Sequence, residues 1–164
     1  MDKLYGFEVR HATDAEIPAI MKITQEAFAN YCEISGVDPS RISATSETEA
    51  DIARDIAENE VYVAFADDIP VGSVRVEILD NHRARLSRFG VLLDYQNNGV
   101  GQILMNVVDN SMRQKEIKTL ELYTASNFRS LVRFYYKRGF YIEEINTGRG
   151  YLRAKLTKEY TYEN

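Results

Sequence analysis

The sequence has no tryptophan, a single cysteine, three prolines and two histidines in 164 residues. One thiol excludes an internal disulfide and suits a reducing compartment. Cys32, His11 and His82 are too few for a zinc site of the usual ligands, and neither histidine is placed as a base for a nucleophilic thiol. Cys32 therefore reads as a packed side chain, and no metal is expected. No apolar run approaches the roughly 18 residues that a membrane-spanning helix needs. The opening residues Met1-Asp2-Lys3-Leu4-Tyr5 lack the apolar core of a secretory signal. These readings predict a cytoplasmic protein that does not enter a membrane. Positive charge is also short: 20 Lys and Arg stand against 25 Asp and Glu, for a net charge of -5. Phosphate contacts require a basic face, so nucleic acid is not expected as a partner. A cationic substrate is permitted, although net charge governs solubility and steering and does not describe a site.

What the sequence does have is enough apolar material, 45% against 27% charged, for one globular domain over residues 1–164. Residues 8–11 read as a strand. Thr13 or Asp14 then caps a helix that buries Ile17, Ile20, Met21, Ile23 and Phe28. Gly36 and Pro39 break that pattern. A second helix is predicted over 47–58, with Ile52, Ala53 and Ile56 as its apolar stripe. Its neighbourhood is acidic (Glu47, Glu49, Asp51, Asp55, Glu58, Glu60), which reads either as a solvated face or as a substrate-selecting patch. Strands at 61–66, 69–79 and 84–93 form a meander. After a helix, the strand around Leu120, Leu122 and Tyr123 must lie parallel to its predecessor. A short helix at 130–138 ends at Gly139, and strands at 140–145 and 151–156 close the domain as a hairpin, leaving 157–164 as a loose tail. This order gives an α/β fold with a mixed central sheet. The closing hairpin would lie at its edge, where two copies could pair as a homodimer.

One stretch organises the rest. An apolar strand ending near Val91 feeds Gln96-Asn97-Asn98-Gly99-Val100-Gly101-Gln102, and a helix follows with Ile103, Leu104, Val107, Val108 and Met112 on one side. The first amides of such a helix have no intrahelical partners, and the helix dipole adds to their positive potential, so an anion is attracted to this point. The same residues also describe a plain helix start with an Asn98-Gly99 turn and nothing bound. The stretch is not a Walker loop, because Gln102 and Ile103 follow Gly101 where Lys and Ser/Thr are required. Nor is it a dinucleotide fingerprint, which needs glycine where Leu104 stands. Gly90 sits within an otherwise apolar strand and signals a bulge, a close backbone approach, or simple packing.

Gln96-x-x-Gly99-x-Gly101 resembles the Q/R-x-x-G-x-G/A signature of the GNAT N-acetyltransferase superfamily. A second signature follows in the right order: Asn127, Tyr135 eight residues on, then Gly139-Phe140 at a helix end. The resemblance covers residues 84–140. It implies the GNAT (acyl-CoA N-acyltransferase) fold, with about six to seven strands flanked by about four helices. It also implies acetyl-CoA as co-substrate and a primary amine, on a small molecule or a protein, as acceptor. Carried over residue by residue, it assigns the pantetheine and thioester to the backbone of Phe89 and Val91. The pyrophosphate falls to Gln96, Asn97, Asn98, Gly99, Val100, Gly101 and Gln102, and Asn127 becomes a cofactor contact. Tyr135 becomes the general acid for the departing thiolate. Many relatives carry a basic residue inside the loop, whereas Asn97 and Asn98 are neutral, so anion binding rests on backbone amides. Arg129, Arg133 and Lys137 recur along one helical face and read as a solvated stripe or as partners of a CoA phosphate. No base is legible; Glu77 is the only candidate near the strand. An acyl-CoA-binding sensor without turnover is the alternative from another functional class.

Overall fold

The computed structural model describes residues 6–163; the expectation placed on residues 1–5 lies outside the described residues. Chain order is β1 (Phe7–His11), α1 (Ile17–Ser35), α2 (Glu49–Glu58), β2 (Glu60–Ala66), β3 (Ile69–Ile78), β4 (Arg83–Val91), α3 (Val100–Gln114), β5 (Thr119–Ala125), α4 (Arg129–Lys137), β6 (Tyr141–Asn146) and β7 (Arg153–Glu159). One seven-stranded sheet runs β1-β2-β3-β4-β5-β7-β6. Its β4–β5 pair is parallel and the other pairs are antiparallel. The exception follows from connectivity, because α3 must carry the chain back across the sheet before β5 begins.

Local chemistry sets the boundaries. α1 stops at Gly36, whose φ of 75° is available at little cost to glycine. α2 begins with a reciprocal cap in which Asp51 N donates to Thr48 Oγ1 at 3.2 Å and Thr48 N donates to Asp51 Oδ2 at 2.9 Å. The helix thus starts at Glu49 and not at Glu47, which belongs to the loop before it. Asp67 (φ 46°) and Asp68 (φ 72°) form the two-residue left-handed turn that matches the twist of β2 and β3.

β2 shows how the layers are built. Tyr62, Ala64 and Ala66 face a large core that takes in Val100, Leu104, Met105, Val108 and Met112 of α3. The alternating residues Val61, Val63 and Phe65 face Ile20 of α1 and Ile52 of α2. A strand with helices on both faces buries every residue, so it reads as a continuous apolar run.

Two expectations are corrected. Residues 157–160 do not belong to a loose tail. Thr157, Lys158 and Glu159 complete β7 opposite Glu121, Leu120 and Thr119, and Tyr160 is only 5% exposed. Its charged neighbours hid this segment from a hydrophobicity reading. Asp109 on α3 holds it, accepting from Tyr160 OH at 2.6 Å, Lys158 Nζ at 2.9 Å and Arg138 Nη2 at 2.7 Å. The acidic segment is likewise not simply solvated. Glu47 and Asp55 turn inward onto the guanidinium of Arg75, which is 2% exposed, with Asp55 Oδ2 at 2.8 Å.

Burial alone would raise the Asp109 carboxyl, but the Tyr160 hydroxyl and Lys158 ammonium, with Arg138, outweigh it and hold the group below its usual range. A depressed folded pKa gives stability that is complete above the unfolded value, near 3.9, and is lost as pH falls through the folded one. Asp109→Asn is expected to lower unfolding free energy by about 3 kcal/mol at neutral pH, because two cations lose their counter-charge. Urea titrations should find that the difference between parent and variant narrows below about pH 4; a constant difference would refute the assignment.

Candidate active site

β4 and β5 pair over only three positions, Arg83, Ala84 and Arg85 against Thr119, Leu120 and Glu121. Beyond them β5 stays with β7 as far as Ala125, while β4 stays with β3 as far as Val91. The two strands therefore separate, and the gap between them is the candidate site. A bulge bends β4 at this point: Ser87 to Gly90 takes three steps where the facing segment, Arg75 to Ser73, takes two. Arg88 absorbs the extra residue with φ 53°. The sequence signal at Gly90 has a different cause. A Cβ there would lie 2.7 Å from the Cβ of Ala27, so glycine lets α1 press against the strand.

Tyr31 of α1 wedges into the opening. Its hydroxyl accepts from the Ala125 amide at 2.6 Å, satisfying a donor that β4 would otherwise have met. Burial pushes its phenol up, so it stays neutral.

The first cavity, about 480 Å³, lies between the free edge of β4, the turn before α3 and the start of α4. Leu92 N donates to Val71 O of β3 at 2.8 Å. Backbone groups alternate sides along a strand, so those of Val91 point the other way, into the gap. Gln96 Nε2 meets the Val91 carbonyl there at 3.4 Å. The turn holds Asn97 at φ 63° and Gly99 at φ 85°. A Cβ on Gly99 would meet nothing within 4 Å, so the space in front of it is open, whereas one on Gly101 would come within 2.9 Å of the Phe89 ring. The first helical bond runs from Ile103 N to Gly99 O, so the amides of Val100, Gly101 and Gln102 have no carbonyl one turn back. Among the described residues, no acidic side chain lines this cavity. Open space, unpaired amides and the absence of negative charge suit a diphosphate.

A second cavity, about 160 Å³, continues between β4 and β5 and shares Phe28, Tyr31, Phe89 and Leu131 with the first. Tyr135 forms part of its wall. The ring is 3% exposed and packs against Phe89, Phe134 and Phe140 at centroid distances of 6.0, 5.6 and 5.5 Å. Burial pushes the phenol well above its ordinary range. Its hydroxyl therefore stays protonated, and it has no hydrogen-bond partner among the described residues.

Of the residues singled out from sequence, Phe89, Val91, Gln96, Asn97, Gly99, Val100, Gly101 and Gln102 line the first cavity. Asn98 does not; its side chain donates to Gln96 O at 3.1 Å and closes the turn. Asn127 does not either. Its amide donates to Ser35 O at 2.8 Å, tying the loop before α4 to the end of α1 beside a separate recess. Arg129, Arg133 and Lys137 line none of these cavities, and Glu77 is exposed outside them. The sequence reading missed Asn30 and Tyr31 of α1. It also missed Arg41, Arg85, Arg149 and Arg153, which surround the second cavity and carry no motif.

A family model described as acetyltransferase (GNAT) family matches residues 18–140. The chain belongs to that family. Among curated proteins, a stretch of 83 residues is 31% identical to a spermidine N(1)-acetyltransferase of Thermoplasma acidophilum; the match covers 51% of each chain. It thus spans about half the length of that relative. Among solved structures, the PaiA N-acetyltransferase of Thermoplasma acidophilum in complex with coenzyme A has a TM-score of 0.82 at 21% identity, over 94% of this chain and 99% of that one. A GNAT family acetyltransferase of Elizabethkingia anophelis with acetyl-CoA bound has a TM-score of 0.67 at 20% identity, over 94% and 98%. The mixed sheet of seven strands with four α-helices among the described residues is the GNAT fold.

The Gly90–Ala27 contact makes a direct prediction for this GNAT chain. Gly90→Ala should lower stability by about 1–3 kcal/mol, since a rigid helix and a rigid strand must move apart. Chemical denaturation measures the change, and an unchanged midpoint would refute the packing role.

Proposed function

We propose that this acetyl-CoA-dependent N-acetyltransferase moves the acetyl group to a primary amine by direct attack, with Tyr135 as general acid. The observation that carries the reading is the protonated, unpartnered hydroxyl of Tyr135 at the wall where β4 and β5 part. The amides around Gly99, Val100, Gly101 and Gln102 would hold the pyrophosphate. The outward-facing backbone of β4 at Phe89 and Val91 would align the pantetheine, with the Val91 N–H toward the carbonyl oxygen, where negative charge develops. Asn98 and Asn127 would act one step removed, by fixing the turn and the loop before α4. Acetyl-CoA supplies the activated acyl group. Phe28, Phe89 and Leu131 give the two cavities a shared apolar wall.

A free, buried cysteine suits a reducing compartment, and no helix among the described residues is long and apolar enough to cross a membrane. We place the protein in the cytoplasm on that basis. The outer edge of β6 ends the sheet and is where two copies would pair.

Tyr135→Phe removes the donor and keeps the ring. Turnover with the best amine should fall by about 100-fold or more, while acetyl-CoA affinity by calorimetry stays within about twofold. Retention of full turnover would remove Tyr135 from the mechanism. Absence of any acetyl-CoA binding by the parent protein would overturn the whole reading.

A further inference from the structure

The second cavity has a charge pattern that the sequence total conceals. Five arginines line it, Arg41, Arg85, Arg88, Arg149 and Arg153, with no aspartate or glutamate among the described lining residues. Two buried acids that pair with its arginines are already committed. Glu47, with 6% of its side chain exposed, binds the Arg75 guanidinium through both oxygens and meets Arg88 Nε at 3.4 Å. Glu121, 7% exposed, faces Arg83, Arg85 and Lys155 at 3.8 to 3.9 Å. Each carboxylate is thus shared by more than one cation.

Four of the five have fixed neighbours. Arg88 Nη2 donates to Ser43 Oγ at 3.1 Å. The Arg153 guanidinium lies 3.9 Å above the Tyr123 ring, which leaves its donor edge available. Arg41 packs against the backbone of Gly150, where even a Cβ would come within 3.0 Å of its Cζ. Arg85 Nε is buried and has no hydrogen-bond acceptor. Like charges gathered around a volume of about 160 Å³ repel one another unless an anion enters. Guanidinium forks match carboxylate and phosphate oxygens.

We propose that the acceptor is a small primary amine bearing an anionic group, carboxylate or phosphate, which the arginines grip while its nitrogen faces the thioester. This rests on the acetyltransferase reading above. The arginine field also bears on the missing base. Nearby positive charge disfavours an ammonium and lowers its pKa, so the nucleophile loses its proton to water more readily. The neutral nitrogen bonds to the thioester carbon, the carbonyl oxygen takes up the electron pair, and the carbon–sulfur bond breaks as this tetrahedral intermediate collapses. The sulfur takes the Tyr135 proton, and the second proton leaving nitrogen restores the phenol through solvent. The products are the amide, the free thiol and the one proton released at the start. A polycation such as a polyamine would meet repulsion at every wall.

Thiol release by the full chain should be followed with five sets of amines: amino acids, their carboxamides, phosphoethanolamine, ethanolamine and spermidine. One anionic set should exceed its neutral counterpart in kcat/KM by about tenfold or more, and the advantage should shrink as salt is raised. The preferred anionic set identifies the head group. Arg153→Gln and Arg149→Gln should each raise KM for that acceptor several-fold, with a smaller change for the carboxamide. They should also move the acidic limb of the kcat/KM profile to higher pH. Equal or better turnover of spermidine or carboxamides would overturn this proposal and leave the acetyltransferase assignment standing. Failure to bind acetyl-CoA at all would remove both.

Discussion

The early parting of β4 from β5 is the constraint on which the rest of the molecule depends. A complete parallel ladder would fill the middle of the sheet with backbone bonds and leave no place for a ligand. Three devices prevent it. The bulge at Arg88 re-aims the strand at a left-handed residue. Glu47 pins Arg88 from the loop before α2 and is itself fixed by the buried Arg75. Tyr31 occupies the fork and satisfies the Ala125 amide. Buried ion clusters of this type add little net stability, because desolvation offsets attraction. The Glu47–Arg75–Arg88 cluster ties the loop before α2 to β3 and to the bulge of β4.

From that opening the division of labour follows. On one side the start of α3 offers backbone amides and no negative charge; on the other, arginines surround a smaller space that has Tyr135 in its wall. The glycines differ in physical role. Gly99 supplies a backbone angle and faces open space, while Gly90 and Gly101 supply room for Ala27 and for the Phe89 ring. Only the first could have been inferred from a turn pattern, since the other two depend on residues far along the chain.

Net charge and local charge also part company here. A chain with a formal charge of -5 invites the expectation of a cationic ligand. Yet its acids are spent on the outer face of α2, on helix caps and on internal pairs such as Asp109 with Lys158. The second cavity keeps guanidiniums alone. A total over the sequence carries no information about which charges have been neutralised by folding.

The sequence by itself determined what short-range periodicity and loop chemistry can encode. That includes the order of strands and helices, the parallel β4–β5 crossing forced by α3, the strand–turn–helix with Gly99, and the Asn127, Tyr135 and Gly139 spacing. It misjudged residues 157–160, because a strand whose neighbours are ionic lacks a hydrophobic signature until its partners are known. Only the tertiary structure decided where β4 leaves β5, that Asn127 braces α1, and that Arg41, Arg85, Arg88, Arg149 and Arg153 converge. These depend on contacts between residues tens of positions apart, and no local pattern constrains such distances; the packed chain does.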